Sequence, residues 1–164
     1  MPPYFFRLFR NDLIDAFSSE LPGAVWSALA CELEFTYLLS EQSLPRQGAA
    51  LRDVYFPAGA SIAVYAQSCD GDKAIAHLGR CGMTPLGEFM NAEIGVPCRF
   101  EVENPGVAFS VRAKKFREIV SASEYLRSLI VASEHAMRFR VFADMRLVHS
   151  LSGELIRNMG HGCR

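Results

Sequence analysis

Apolar residues near the start of the chain recur at the three- and four-residue intervals of an amphipathic helix. Two such groups lie between residues 11 and 32, the first at Leu13, Ile14 and Phe17, the second at Val25, Trp26, Leu29 and Ala30. Pro22 stands between them, and proline is favoured in the first turn of a helix. The pattern predicts two short helices, with Pro22 opening the second.

The pattern changes at residue 34, where apolar residues begin to occur in short runs typical of strands. Six such runs cover residues 35–39, 54–56, 61–66, 74–78, 100–102 and 107–111. Turn-forming residues separate them, including Pro57, Gly59 and the Asp70–Gly71 pair, which is a good hairpin tip. These short connections favour an antiparallel sandwich or barrel over a parallel sheet with crossover helices.

Helical spacing returns after residue 113, first over residues 114–120 and then from about Ser123 to Val148, with Ser123 as a plausible cap. One stripe of the second helix carries Leu126, Ile130, Met137, Val141 and Val148. Further apolar residues widen this surface beyond what a single contact needs. We therefore predict that the helix pairs with its counterpart in a second copy. A helix buried more deeply within one chain is the alternative.

The composition is that of a folded globular protein. Of the 164 residues, 50% are hydrophobic and 21% charged, which fits one compact domain. Seventeen Lys and Arg against 18 Asp and Glu give a net charge of -1, without the cationic excess that nucleic-acid binding uses. Since the chain has neither a membrane-spanning apolar run nor a secretory signal at its start, we expect a cytoplasmic protein without a membrane partner.

Cysteine and histidine are placed poorly for metal binding or catalysis. The five cysteines are scattered without a CxxC pair, so reduced thiols are expected rather than a disulfide framework or a thiolate metal site. Of the four histidines only His77 lies among the predicted strands, which is too few for the metal triad of a cupin-like enzyme. His77 is also the one candidate for a haem ligand, and Cys98 with His77 has no supporting motif for nucleophilic catalysis. We predict no metal and no enzymatic activity; a cupin-like metalloenzyme is the least favoured alternative.

Several motifs resemble the sensor domain of Crp/Fnr-type transcription regulators, which has a cyclic-nucleotide-binding fold. The Leu51–Pro57 run (LRDVYFP), the Gly79–Met83 run (GRCGM) and the Arg112–Val120 run (RAKKFREIV) are similar to motifs of that family, in the family's order. The Asp70–Gly71 pair also stands where the family has a hairpin. The similarity extends over about residues 20–158.

The resemblance implies an α+β fold: an antiparallel β-roll (a jelly-roll-like double-stranded β-helix) with N-terminal helices and a long C-terminal dimerisation helix. It divides the chain into an N-terminal extension (1–19), the roll with its flanking helices (20–122), the dimerisation helix (123–149) and the start of a connection (150–164) to a DNA-binding winged helix-turn-helix that this sequence lacks. The implied function is effector sensing by a homodimer, with DNA contacted only through the missing domain. A degenerate, ligand-free dimeric scaffold is the alternative.

Members of this family that respond to cyclic nucleotides hold the sugar and phosphate with a Gly-Glu-Leu-type turn and a following arginine. Here Gly87 and Glu88 are similar to the turn, and Arg99 lies near the arginine position. The strand places Cys98 at that position instead, and a shift of one residue turns a side chain to the opposite face. A cyclic nucleotide is therefore the disfavoured effector, and no cofactor is predicted with certainty. Arg80, between glycines, is a second candidate anion contact, and Cys98 beside an arginine is a candidate redox thiol.

Overall fold

The computed structural model describes residues 11–47, 50–66, 72–84 and 98–132. These segments contain the helices α1 (Asp12–Glu20), α2 (Gly23–Glu32), α3 (Ala113–Ala122) and α4 (residues 124–132). They also contain the strands β1 (Glu34–Leu38), β2 (Arg46–Gln47), β3 (Ala50–Leu51), β4 (Asp53–Pro57), β5 (Ser61–Ala66), β6 (Lys73–Leu78), β7 (Cys98–Asn104) and β8 (Gly106–Arg112). The predicted α+β class is confirmed.

The strands form two three-stranded sheets and a small ribbon, and every pair is antiparallel. The first sheet has the order β1-β8-β4 and the second β6-β5-β7, while β2 pairs with β3. All six apolar runs predicted as strands fall on strands of these two sheets. The predicted Asp70–Gly71 turn lies outside the described residues; on either side of it, Ala66 of β5 pairs with Lys73 of β6.

The first sheet has apolar side chains on both faces, and β4 shows how the two faces separate. Val54 and Phe56 lie on the side of the helices, whereas Tyr55 lies between the sheets, because successive strand residues face opposite ways. The Phe56 ring packs edge-to-face with Phe17 of α1 and Phe116 of α3, at centroid distances of 6.2 and 5.7 Å. The described buried members of this helix-side cluster are Ile14, Phe17, Leu21, Leu29, Leu33, Val54, Phe56, Ala58, Met83, Phe109, Val111, Ala113, Phe116, Val120, Leu126 and Ile130.

A second hydrophobic cluster lies on the other face of the first sheet and joins it to the second sheet. It is mainly aliphatic, and the inward residues of β5 and β7 contribute most of its fully buried side chains. The described buried members of this inter-sheet cluster are Leu38, Leu44, Tyr55, Ala60, Ile62, Val64, Ile75, Leu78, Phe100, Val102 and Ala108. It forms the interior of the predicted roll.

The N-terminal helix α1 is tied into the domain at its first turn by Asn11, which is completely buried. The Asn11 side-chain oxygen accepts hydrogen bonds from the backbone N–H groups of Leu13 and Ile14, as an N-cap does. Its amide nitrogen donates to the carbonyls of Pro57 and Gly82, at 2.7 and 3.0 Å. Helix α1 thus packs against the first sheet, and the division of the chain at residue 19 stays a prediction.

Helix α4 begins where the long C-terminal helix was predicted to begin. The Ser123 hydroxyl accepts a hydrogen bond from the Leu126 N–H at 3.2 Å, which confirms the predicted cap. Leu126 and Ile130, however, are only 0% and 2% exposed within a single chain, because they pack in the helix-side cluster. These two side chains thus pack within a single chain, and the pairing of the C-terminal helix with a second copy stays a prediction.

The other predicted interface residues, Met137, Val141 and Val148, lie outside the described residues, as do the predicted end of the dimerisation helix and the connection over residues 150–164. Within the described segments, no helix combines the length and the apolar character needed to cross a membrane.

Candidate functional site

The turn after β6 leads from the second sheet back to the first, and its last residues are firmly held. Thr84 is completely buried and exchanges two hydrogen bonds with Tyr55 of β4. The Thr84 N–H donates to the Tyr55 carbonyl and the Thr84 hydroxyl accepts from the Tyr55 N–H, both at 2.8 Å. Together with the bond from Asn11 to Gly82, these contacts fix the backbone immediately before residue 85.

Three of the predicted ligand-binding residues follow this turn in the sequence. Gly87 and Glu88 lie outside the described residues. Cys98 is the first residue of β7 and pairs in register with Ala66, and its side chain is outside the described part of the structure. Their roles, including the redox role considered for Cys98, stay predictions.

Arg99 lies on the outer face of the second sheet, away from the inter-sheet cluster. Its neighbour Phe100 is buried in that cluster, so strand alternation turns Arg99 outward. The Arg99 guanidinium lies 3.1 Å from the Asp72 carboxylate, forms an ion pair with Glu101 and stacks over the Tyr65 ring at 4.5 Å from its centroid. Arg99 thus lies on the face opposite to the inter-sheet cluster, as strand alternation predicts, and its role as a ligand contact stays a prediction.

Arg80, the second candidate anion contact, lies exposed in the turn after β6. The Arg80 carbonyl accepts a hydrogen bond from the Asp12 N–H at 2.9 Å, so this part of the turn also contacts the first turn of α1. A role of the Arg80 guanidinium in binding an anion stays a prediction.

The described members of the inter-sheet cluster have hydrocarbon side chains, except for Tyr55, whose side chain carries a hydroxyl. Burial raises the pKa of the Tyr55 hydroxyl, and the charge of Asp53 raises it further. Asp53 itself is bracketed by two guanidinium groups, since its carboxylate oxygens lie 3.1 Å from Arg52 and from Arg112. At the described positions, the interior therefore favours neutral groups, and the charges are paired at its edge.

His77, the candidate haem ligand, lies on the exposed face of the second sheet. Its side chain is 56% exposed, and its Nδ1 atom lies 3.0 Å from a Glu103 carboxylate oxygen. Ser61 also contacts that oxygen at 3.4 Å and accepts a hydrogen bond from Asn104 at 2.8 Å. His77 is thus part of a surface network that crosses β5, rather than a ligand inside the roll.

Metal-ligating side chains are dispersed in the part of the chain that the structure describes. No group of three or more His, Cys, Asp or Glu residues there could hold a metal ion. The thiols of Cys31 and Cys81 are exposed, and the Cys81 thiol donates a hydrogen bond to the Asp12 carboxylate at 2.9 Å.

The residues that hold the turn before the candidate site, Asn11 and Thr84, were not predicted from the sequence. Asn11 directly precedes an apolar-periodic segment, which is a recognised signal for an N-cap. That signal identifies the cap, but it gives no information about the bonds from Asn11 to Pro57 and Gly82, which lie 46 and 71 residues away. No local pattern marks Thr84.

Comparisons with known proteins identify the fold. No protein-family model and no curated protein sequence matches this chain. Among solved structures, a Crp/Fnr-family transcriptional regulator from Eubacterium rectale matches with a TM-score of 0.65 at 13% identity, over 84% of this chain and 63% of the regulator. The chain thus spans less than two thirds of that regulator's length.

Two further structures match over most of their own lengths. The c-di-GMP responsive regulator CLP of Xanthomonas campestris has a TM-score of 0.58 at 12% identity, over 85% of this chain and 71% of CLP. The sensor domain of the regulator DNR from Pseudomonas aeruginosa has a TM-score of 0.52 at 15% identity, over 88% of this chain and 85% of that domain. The fold is that of Crp/Fnr sensor domains, which confirms the predicted resemblance.

Proposed function

From this shared fold we propose that the chain is the effector-sensing and dimerising part of a Crp/Fnr-type transcription regulator. The match to an isolated sensor domain, over 88% of this chain and 85% of that domain, is the observation that carries the proposal. In this function a signal received in the roll changes the geometry of two paired C-terminal helices. DNA is then contacted by a separate domain.

The described contacts provide a continuous route for such a signal. The turn that ends at Thr84 is bonded to Tyr55 of the first sheet and, through Asn11, to helix α1. At its other end α1 contacts α4, since the Tyr125 hydroxyl donates to the Glu20 carboxylate at 2.8 Å. A displacement that begins just after residue 84 can therefore be transmitted to the start of the C-terminal helix.

The charges make a nucleotide an unsuitable effector. A buried phosphate needs a cation beside it, and the sequence contains no Lys or Arg between Arg80 and Arg99. Arg99 faces outward and already contacts two carboxylates. We therefore expect an effector without a phosphate, in contrast to the c-di-GMP to which CLP responds.

A thermal-unfolding screen tests the sensing function. A ligand that binds only the folded chain raises the melting temperature, by an amount that grows with its concentration. The screen compares cyclic mononucleotides, c-di-GMP and haem with neutral small molecules. We expect the melting temperature to stay unchanged with the nucleotides and to rise with the concentration of at least one neutral compound. A rise with a nucleotide that disappears in Arg99→Ala would contradict the placement of Arg99 outside the ligand site.

A ligand-free dimeric scaffold is the second candidate function. The close burial of the inter-sheet cluster favours it, because Ile62, Val64 and Val102 are 0% exposed and already fill part of the interior. A scaffold would give no thermal shift with any compound while still forming a dimer. The ligand screen therefore distinguishes the two functions, whereas both predict a dimer.

Dimerisation is assigned to the predicted continuation of the C-terminal helix beyond residue 132, where Met137, Val141 and Val148 lie on the predicted stripe. Sedimentation velocity of the full chain should give a mass near twice 18.2 kDa. Met137→Glu should shift this mass toward the monomer, because a charge on a helix seam is desolvated in the pair. A monomer at all concentrations, or a Met137→Glu chain that pairs normally, would contradict this assignment.

A further inference from the structure

Two side chains on the helix side of the first sheet extend into solvent. Tyr37 of β1 and Leu39, which follows the strand, are 59% and 63% exposed. Phe35, two residues before Tyr37, packs edge-to-face with Phe109 at a centroid distance of 5.9 Å. Since alternate residues share a face, the apolar row that begins under the helices continues beyond them. Tyr37 and Leu39 form this uncovered row.

The uncovered row lies at the same end of the sheet as Asn11, the first described residue. Asn11 donates to the carbonyl of Pro57, and Pro57 pairs with Ala108 of β8. Ala108 pairs in turn with Thr36 of β1, the residue next to Tyr37. The backbone of β4 that Asn11 contacts is therefore two inter-strand spacings from the part of β1 that carries the uncovered row. This distance is about 10 Å.

Residues 1–10, which precede Asn11, have the composition of a segment that needs an apolar contact. Their sequence contains Tyr4, Phe5, Phe6, Leu8 and Phe9 within six positions. Ten residues reach at most about 33 Å when extended, roughly three times the distance required. The segment also carries two arginines, and the exposed Glu41 lies just beyond Leu39.

We propose that residues 4–9 dock on the uncovered row and complete the apolar face of the first sheet. In the described part of the first sheet, β1 is an edge strand, so its outer backbone edge is available to a further segment beside the uncovered row. A second copy fits the row less well. Two side chains offer far less than the roughly 800 Å² per partner that a stable protein interface buries.

Hydroxyl-radical footprinting of the full chain tests the docking, because it reports side-chain accessibility at Tyr37 and Leu39. The comparison protein carries serine at positions 4, 5, 6, 8 and 9, which keeps the segment's length and both arginines. We expect Tyr37 and Leu39 to be oxidised several-fold faster in this serine variant. Tyr125, which is 47% exposed on α4, serves as the internal control and should react equally in both proteins.

The outcomes separate the possible occupants. Equal oxidation of the uncovered row in both proteins overturns the proposal. Protection that persists in the serine variant and increases with protein concentration also overturns it, because a second copy then covers the row. As an independent check, Tyr37→Ser with Leu39→Ser should abolish any difference in thermal stability between the natural and serine segments; an undiminished difference would place the docking site elsewhere.

Discussion

The helix-side cluster and the inter-sheet cluster lie on opposite faces of the same sheet, yet they are built differently. The four largest fully buried side chains, Phe17, Phe56, Phe109 and Phe116, all belong to the helix-side cluster. They join elements from the beginning, middle and end of the described chain. The inter-sheet cluster is mainly aliphatic, with Tyr55 and Phe100 as its aromatic members, and is contributed mainly by strands and their connections. We infer that the helix-side cluster holds the domain together, whereas the inter-sheet cluster shapes the candidate site.

The largest effect is expected for Phe56→Ala, which removes the centre of the helix-side cluster. Deleting a buried ring costs about 3–5 kcal/mol of unfolding free energy, and Phe56 also loses two edge-to-face contacts. Phe100→Ala is the matched change in the inter-sheet cluster and should fall at the low end of that range. Urea denaturation measures both, and a larger loss for Phe100→Ala would reverse the proposed ranking of the clusters.

Leu126→Ala tests whether α4 belongs to the helix-side cluster or to a dimer interface. Leu126 is fully buried within one chain, so the change should lower the free energy of unfolding by about 3 kcal/mol. Because the contact is within the chain, the loss should be the same at every protein concentration. Leu129→Ala, at a half-buried position on the same helix, is the control and should cost less. A loss confined to dilute protein would return Leu126 to the interface.

The strands could be predicted because their apolar runs and turns are local in the sequence. The element that packs against Leu126 and Ile130 could not be predicted in this way, for a physical reason. Helical spacing shows which residues share a face, but it does not show which element covers that face. Leu126 and Ile130 belong to a cluster with Ile14 and Phe17, which lie more than 100 positions earlier in the sequence. The broad apolar surface favours pairing with a second copy, with deeper burial within one chain as the alternative, and Leu126 and Ile130 are buried within one chain.

At the candidate site, strand alternation predicts that the Arg99 side chain faces away from the interior, and Arg99 lies on the outer face of the second sheet. It could not predict the partners that hold Arg99 outside. Asp72 lies 27 positions earlier, and the two residues meet only because Asp72, just before β6, and Arg99 on β7 lie on either side of β5. Long-range pairing decides such contacts, and one sequence does not contain that information.

Asn11→Ala should have the next largest effect, since it removes the side-chain hydrogen bonds that tie the start of α1 to Pro57 and to Gly82 in the turn before the candidate site. Loss of an N-cap costs about 1 kcal/mol, and the buried Pro57 carbonyl and the part-buried Gly82 carbonyl lose this donor. We expect a total of about 2 kcal/mol by urea denaturation. Asn11→Ser keeps a capping oxygen but removes the amide donor, so it should recover only part of the loss. Full recovery by serine would show that the bonds to Pro57 and Gly82 contribute nothing.

A smaller effect is expected on the outer face of the second sheet, where the side chains are paired but exposed. His77→Ala removes the contact with Glu103 and should change the free energy of unfolding by less than about 1 kcal/mol. Ile62→Ala, on the inner face of the neighbouring strand, should cost roughly 2–5 kcal/mol. Comparable losses for the two variants would mean that the surface network supports the sheet as strongly as its core does.

Alkaline pH tests the polar edge of the inter-sheet cluster through Tyr55. In the unfolded chain a tyrosine loses its proton near its ordinary pKa of 10.0, while burial, the main cause, and the nearby Asp53 raise the pKa of Tyr55 in the folded chain. Above pH 10.0 the unfolded state therefore binds fewer protons than the folded state, and the free energy of unfolding falls as the pH rises. The contribution of Tyr55 to the free energy of unfolding is fully present below that pH.

Urea denaturation on both sides of that pH should show this fall in the natural chain and a shallower fall in Tyr55→Phe, which has no proton to lose at that position. Tyr125→Phe is the control for the second tyrosine of raised pKa, whose shift comes first from its hydrogen bond to Glu20 at the surface. Because Tyr125 is exposed, its variant should alter the alkaline slope less than Tyr55→Phe does. Equal slopes in the natural chain and Tyr55→Phe would mean that water reaches the hydroxyl, and the roll would then be open at the edge where Asp53 and its two arginines lie.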